Sequence, residues 1–330
     1  MLDIKPIAKS TRFCLDDVYA TVVNWLRQEY ELIFFYSWNF GYDMGSSNLF
    51  GHRITLGRGG DWRIDAKEFL LEKIYGIKVS WHTSDSYNQI IRVIDSEIKI
   101  QFPVGISLNS YWCPWSQSYK KYETNHTCLV IGIDTEKEGF FCVDRYLSEE
   151  IEFLPFDDFK NGFKVYATFS LSDSQAKQLD WKFFLNDSVC RTLKGYKGIS
   201  DFEVMRIFAD DFENFFDIKE ELKGFSDVWA VPLYLRFDGI AQSRVCFVEL
   251  LRNLKRKYNI LELSKSLEML ETSVQKWEIT RRLLLKMLIA NDSSAIKFKI
   301  ADYIKEIAEI EENAATEIKN NLEDNVKKVI

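Results

Sequence analysis

Histidine is scarce in this chain of 330 residues. There are three, and none has a second ligand-type residue at the spacing of a helical metal site, which disfavours zinc and predicts no metal centre. The six cysteines (14, 113, 128, 142, 190 and 246) have neither CxxC nor finger spacing. Three of them sit inside apolar runs, which suits reduced core thiols better than a disulfide frame. No uninterrupted apolar run of about 18 residues occurs, and the opening MLDIKPIAKSTRF has no apolar core of signal-peptide length. Both absences point to a cytoplasmic protein away from the membrane. Positive charge is not in excess: the net charge of −7 argues against a dedicated nucleic-acid binder. Lys and Arg form only short knots at Lys120–Lys121, Arg252 to Lys257 and Arg281–Arg282, the pattern of solvated helix faces. The glycine-rich GSSNLFGHRITLGRGG lacks Walker spacing, so it does not read as a phosphate cradle.

What is present is core-forming material, with 46% hydrophobic and 15% aromatic residues. That fills one large domain or two ordinary ones. Lys9-Ser10-Thr11 reads as a helix start, after which Cys14, Leu15, Val18, Val22, Trp25 and Leu26 fall on one face at helical spacing. Asp65 to Tyr75, closed by Gly76, and Ser84 to Lys99 are further helices, with a short strand at Ile77 to Trp81 between them. Strand patterns recur at Ile151 to Leu154 and Tyr166 to Leu171. From Gln175 onward the periodicity is almost wholly helical, broken near Lys194 to Gly198, Gly224 to Pro232, Lys257 to Ile260 and Asn291 to Ser294. The composition therefore predicts an α+β catalytic part over 1–172 and an all-helical part over 173–330. Apolar positions on the last two helices (Leu263, Leu267, Leu270, Val274, Trp277, Ile304, Ile307 and Ile310) exceed what one small core needs, which leaves room for a homodimer.

The centre of the chain is PVGISLNSYWCPWSQSYKKYETNHTCLVIGIDTEKEGFFCVD, from Pro103 to Asp144. Val104 to Leu108 alternates as a strand, and Cys128 to Ile133 is a continuous apolar run, the mark of a strand buried on both faces. Asp134 to Gly139 is a hairpin turn, so the next strand, Phe140 to Val143, returns alongside. That return brings Asp144 beside His126. A histidine oriented by a carboxylate is half of a nucleophilic triad. Cys14 supplies the other half, because the first turn of a helix favours a thiolate through its unsatisfied N–H groups and dipole. A helix-borne nucleophile, then histidine and its orienting partner on adjacent strands, is the order of papain-like folds. His52, in a glycine-rich loop, and His82, at a strand end, have weaker cases. Trp38, Phe40 and Tyr42, with Tyr111, Trp112, Trp115 and Tyr119, crowd loops flanking this trio and are candidates for the wall of a substrate pocket, although core packing explains any one of them.

With Cys14 ahead of its helix, the stretch PVGISLNSYWCPWSQSYKKYETNHTCLVIGID…GFFCVD resembles the butirosin biosynthesis protein H N-terminal-domain family of antibiotic and other natural-product clusters. The resemblance covers about residues 10 to 170, and the helical remainder, including VQKWEITRRLLLKML, is similar to the region that follows in longer members. It implies a papain-like fold and a cysteine acyltransferase with no bound cofactor. Its donor would be a phosphopantetheine thioester on an acyl or peptidyl carrier protein and its acceptor an amine. By that resemblance Cys14 matches the nucleophile, His126 the base and Asp144 the orienting carboxylate. A more distant similarity to bacteriocin leader peptidases departs at the oxyanion donor. Those peptidases place a glutamine shortly before the cysteine, whereas Lys9, Ser10, Thr11 and Arg12 occupy the segment here. Ser10, Thr11 or the Cys14 N–H would have to serve instead. A thiol hydrolase and a catalytically silent scaffold of the same fold are the alternative readings.

Overall fold

The computed structural model describes residues 1–9, 11, 13–55, 62–172, 180–292 and 295–327. In chain order the elements begin α1 (Cys14–Trp25), β1 (Gly41–Tyr42), α2 (Phe50–Arg53), β2 (Ile54–Thr55), α3 (Trp62–Tyr75), β3 (Ile77–His82) and α4 (Tyr87–Lys99). There follow β4 (Val104–Asn109), β5 (Asn125–Asp134), β6 (Gly139–Val143), β7 (Ile151–Pro155), α5 (Phe156–Gly162) and β8 (Phe163–Leu171). The remainder is helical: α6 (Trp181–Lys194), α7 (Asp201–Phe215), α8 (Ile218–Leu222), α9 (Pro232–Tyr258), α10 (Ser264–Ala290) and α11 (Ile296–Lys327). The protein is thus α+β with a helical C-terminal region. Two compact units result, Met1–Ile33 with Glu68–Gln178 and Phe34–Lys67 with Leu179–Ile330, a division that falls inside α3.

The first unit is built on a six-stranded antiparallel sheet in the order β3-β8-β4-β5-β6-β7. Its central strand β5 is buried from His126 to Gly132, as its unbroken apolar run requires. The hairpin after it closes where Asp134 pairs with Gly139, with Asp134 Oδ1 accepting from the N–H groups of Glu136 and Lys137. α1 packs on β5. Its periodicity predicts one apolar face, but every residue from Asp16 to Val23 is buried. The polar members of that run have partners: Tyr19 OH donates to Glu68 Oε1 at 2.9 Å, and Asp17 Oδ1 accepts the Thr11 N–H at 2.6 Å. Gly76 ends α3 with φ +68°, a conformation that costs a glycine little.

The β5–β6 ladder contains one irregularity that matters for everything downstream. Gly132 pairs with Phe141, but Val130 pairs with Cys142 and Leu129 with Val143, so Ile131 is an extra residue with nothing opposite it. Its carbonyl accepts the Leu2 N–H at 2.7 Å instead of a ladder bond. Residues on one face of a sheet recur every second position, so a one-residue slip exchanges faces. With the bulge, Asp144 follows Val143 in line with Cys128, on the face His126 shares. Without it, Asp144 would line up with Leu129 on the opposite face.

The second unit holds α6–α11 together with the 34–67 segment. α10 packs on both α9 and α11, and α11 also packs on α6 and α7. The assignment of 34–67 to this unit departs from the boundary drawn near residue 173, which itself lies outside the described residues. Composition registers a change from strand to helix along the chain, but it cannot register an early segment folding into a late core. Trp38 and Phe40 are buried there, and α2 lies so close to the start of α9 that a Cβ on Gly51 would sit 2.1 Å from the Leu233 nitrogen. Buried Glu221 accepts the N–H groups of Phe50 and Gly51, which fixes α2 in place. The apolar surplus of the last helices is consumed here as well. Leu263, Leu267, Leu270, Trp277, Ile304 and Ile307 are buried within the chain, and Val274 and Ile310 are half-buried.

Candidate active site

Three elements converge in the first unit. Cys14 is the first residue of α1, half-buried, with extended Phe13 as its N-cap and Asp16 and Asp17 in the first turn. An N–H in a helix's first turn has no acceptor within its own helix. His126 stands near the start of β5, opposite Leu108 of β4, and Asp144 directly follows β6. His126 Nε2 and Asp144 Oδ2 are 2.6 Å apart, and both residues are buried. Arg145, the next residue, donates from Nε to the Ile7 carbonyl at 2.9 Å and from Nη2 to that of Ala8 at 3.2 Å. The segment leading to Cys14 is thereby tied to the turn that carries Asp144.

Burial acts most strongly on the His126 ring and by itself favours the neutral form. The hydrogen bonds to Asp144 and to Cys14, and the negative charges they bring, outweigh it and push the imidazole up to about 10. Since Nε2 is engaged by Asp144, Nδ1 is the nitrogen left for the Cys14 sulfur. Trp115 Nε1 donates to the same Asp144 Oδ2 at 2.6 Å, holding the carboxylate from a second direction. The Tyr146 ring lies 5.9 Å from the His126 ring, centroid to centroid, and is itself exposed.

Cys113 is a member of this neighbourhood that the spacing of residues along the chain did not reveal. One donor atom each from Cys113, His126 and Asp144 lies within 4.8 Å of the other two. Cys113 is fully buried, and burial with the adjacent Asp144 charge pushes its thiol far up, so it is a neutral thiol beside the pair. Cys128 and Cys142 follow on the same sheet face, and the hydrogen bond to Cys142, with burial, raises Cys128 as well. Sequence spacing predicted no metal centre, yet the fold assembles a sulfur, nitrogen and oxygen set from a loop, a strand and a strand end. Its only sequence trace is a cysteine between two tryptophans, Trp112 and Trp115, in the loop preceding His126.

The remaining candidates divide. Thr11 is buried, and its hydroxyl donates to the Phe13 carbonyl at 3.2 Å, which keeps it occupied in its own turn. Ser10 lies outside the described residues. Of the aromatics named as candidate pocket wall, Trp115 is bonded to Asp144. Tyr119 OH donates to Asp158 Oδ2, and Trp112 packs on Tyr111 and under Lys120, whose Nζ is 3.3 Å from the indole centroid. Trp38, Phe40 and Tyr42 belong to the second unit. Trp38 donates to buried Glu311, Phe40 packs on Phe208, and Tyr42 donates to Asp211. Aromatics beside a glycine-rich loop carry the same local signature whichever core they enter. His82 is exposed, stacked on Tyr166 and bonded to Thr168, and His52 is exposed in α2.

No described helix is long and apolar enough to cross a membrane. No protein-family model matches the chain, and a search of curated proteins finds no match either.

Proposed function

We propose that this protein is a cysteine-dependent acyltransferase of papain-like fold, with Cys14 as nucleophile, His126 as base and Asp144 as orienting carboxylate. The observation that carries the reading is the meeting of a helix N-terminal thiol with a buried imidazole–carboxylate pair at 2.6 Å. The choice of acyl transfer rests on the resemblance to the butirosin biosynthesis protein H N-terminal-domain family, and the donor class it implies is a carrier-protein phosphopantetheine thioester in natural-product assembly.

His126 takes the Cys14 thiol proton through Nδ1, while Asp144 holds Nε2–H and stabilises the imidazolium. The thiolate attacks the thioester carbonyl and the carbonyl oxygen gathers charge at the start of α1, where the Cys14 N–H is aimed. The pantetheine thiolate leaves and receives the proton from His126. Exchange of one thioester for another is nearly isoenergetic, so acyl-Cys14 forms without the uphill step of attacking an amide. An amine then attacks acyl-Cys14, His126 accepts its proton, and amide forms as the Cys14 thiolate departs.

The test is mass spectrometry of the intact protein after incubation with short acyl-pantetheine thioesters. Acylation mapped to Cys14, absent from Cys14→Ala and discharged by added amines faster than by water, is the expected result. Discharge by water alone would favour the thiol-hydrolase reading. Failure of any thioester or iodoacetamide to modify Cys14 faster than Cys190, the other half-buried cysteine, would leave a catalytically silent scaffold.

A further inference from the structure

We propose that Cys113, His126 and Asp144 form a binding site for a soft divalent cation of the zinc class, and that occupancy of this site silences Cys14. The silencing rests on the acyltransferase reading above; the binding does not.

The three donor atoms lie within 4.8 Å of one another, and all three residues are buried. Tetrahedral coordination at the usual zinc bond lengths separates such donors by about 3.3–3.6 Å, so the Cys113 sulfur would close in by about 1 Å, while His126 Nε2 and Asp144 Oδ2, now 2.6 Å apart, would open by somewhat less than that. A thiolate with an imidazole selects zinc-like ions over magnesium or calcium, which prefer all-oxygen sets. Three protein ligands leave a fourth position for water. The outer shell is in place too, because the Trp115 indole N–H already donates to Asp144 Oδ2 at 2.6 Å and would orient a ligating carboxylate. A buried sulfur beside a buried carboxylate and imidazole has no part in the acyl-transfer steps, which use Cys14 alone.

The consequence for Cys14 follows from where the protons are. The cation enters at Nε2, where the proton shared with Asp144 now sits, and binding expels that proton together with the Cys113 thiol proton. The imidazole is left neutral, metal-bound at Nε2 and carrying its hydrogen on Nδ1. It can then neither accept the Cys14 proton nor stand as the counter-charge to a thiolate. The site thus uses the same ring to hold a metal or to activate a thiol, one at a time.

The experiment uses the 330-residue chain stripped with a chelator and titrated with Co²⁺ as a spectroscopic stand-in for Zn²⁺. Cys14→Ser protein is expected to bind one Co²⁺ with a thiolate-to-cobalt charge-transfer band and intense tetrahedral visible absorption. Cys113→Ser, with circular dichroism confirming its fold and Cys113→Ala as a second variant, is expected to lose the band and at least about tenfold in affinity. In wild type, saturating Zn²⁺ should slow iodoacetamide labelling of Cys14 at least about tenfold, while in Cys113→Ser the ratio of rates with and without Zn²⁺ should stay near one. Cobalt binding that survives Cys113→Ser, or that is lost in Cys14→Ser, overturns the site. Cobalt binding intact but Cys14 unreactive in metal-free protein overturns the silencing and the catalytic reading together, and leaves the cation site standing.

Discussion

Each unit of this molecule buries an ion pair, and the two pairs are finished differently. In the helical unit Arg244 forks onto Glu311, Nε to Oε1 and Nη2 to Oε2, each at 3.0 Å. Ser273, Trp277 and Trp38 add donors to the same two oxygens, and Arg244 Nη1 reaches the Asn39 carbonyl at 2.7 Å. The carboxylate, carried by α11, is saturated by groups from α9, α10 and the 34–67 segment, an arrangement that can hold elements together but has no capacity left for chemistry. In the sheet unit Asp144 is likewise gripped by two donors, but its partner His126 turns its second nitrogen toward a half-buried thiol at a helix start. The difference teaches that burial and pairing do not mark function by themselves; what sets the sheet pair apart is a second ring nitrogen turned toward a half-buried thiol.

The sharpest break of that comparison is His126→Ala. It should slow Cys14 alkylation at pH 7 by at least about a hundredfold, as read by peptide mapping, while Arg244→Met with Glu311→Leu should leave the labelling rate within about threefold of wild type. Stability should follow the opposite pattern. Glu311→Ala leaves Arg244 buried without its counter-charge and is expected to cost about 3–5 kcal/mol in urea unfolding, whereas the apolar double replacement should recover most of that loss.

The two pairs should also fail at opposite ends of the pH scale. Burial works against the Glu311 charge, but the Arg244 charge and its hydrogen bonds, with Ser273 and Trp38, prevail and hold the carboxyl below its ordinary range. Its stabilisation is therefore present above the ordinary carboxylate value and is lost as the pH falls through the depressed one. His126 is raised from 6.5 to about 10, so its stabilisation is complete below 6.5 and is lost as the pH rises through about 10. Urea midpoints measured from pH 3 to 11 should show an acid limb that Glu311→Gln flattens and an alkaline limb that His126→Ala flattens. If the two limbs respond to the opposite mutations, the assignment of the pairs is wrong.

The smallest expected effect sharpens the role of Trp115. Trp115→Phe keeps an aromatic ring and removes the donor to Asp144 Oδ2. Loss of one hydrogen bond to a charged group is worth about 1.5 kcal/mol, or roughly tenfold in labelling rate. No change would reduce Trp115 to packing.

Much of the sheet unit could be read along the chain. β4, the β5–β6 hairpin, the helix beginning near Cys14 and the approach of Asp144 to His126 follow from two-residue alternation, a charged turn and a first-turn position, all local properties. Four things were not local. Packing on more than one side of α1 buried residues its periodicity left exposed. The helical unit recruited Trp38, Phe40 and Tyr42 because its core offered Glu311, Phe208 and Asp211 as partners. The 110–124 loop folded Cys113 back against His126 and Asp144. The bulge at Ile131 set the face on which Asp144 emerges.

What the sequence determined by itself, then, is which residue types are available for the proposed acyl chemistry, in what order, and on which kinds of element, because hydrophobic period and turn chemistry act over a few neighbouring residues. Only the tertiary structure decided that His126 and Asp144 share a face, that a third sulfur joins them, and that an early segment completes a late core. Those outcomes depend on register and on contacts between residues far apart in the chain, where a shift of one position reverses which side of the sheet a side chain faces.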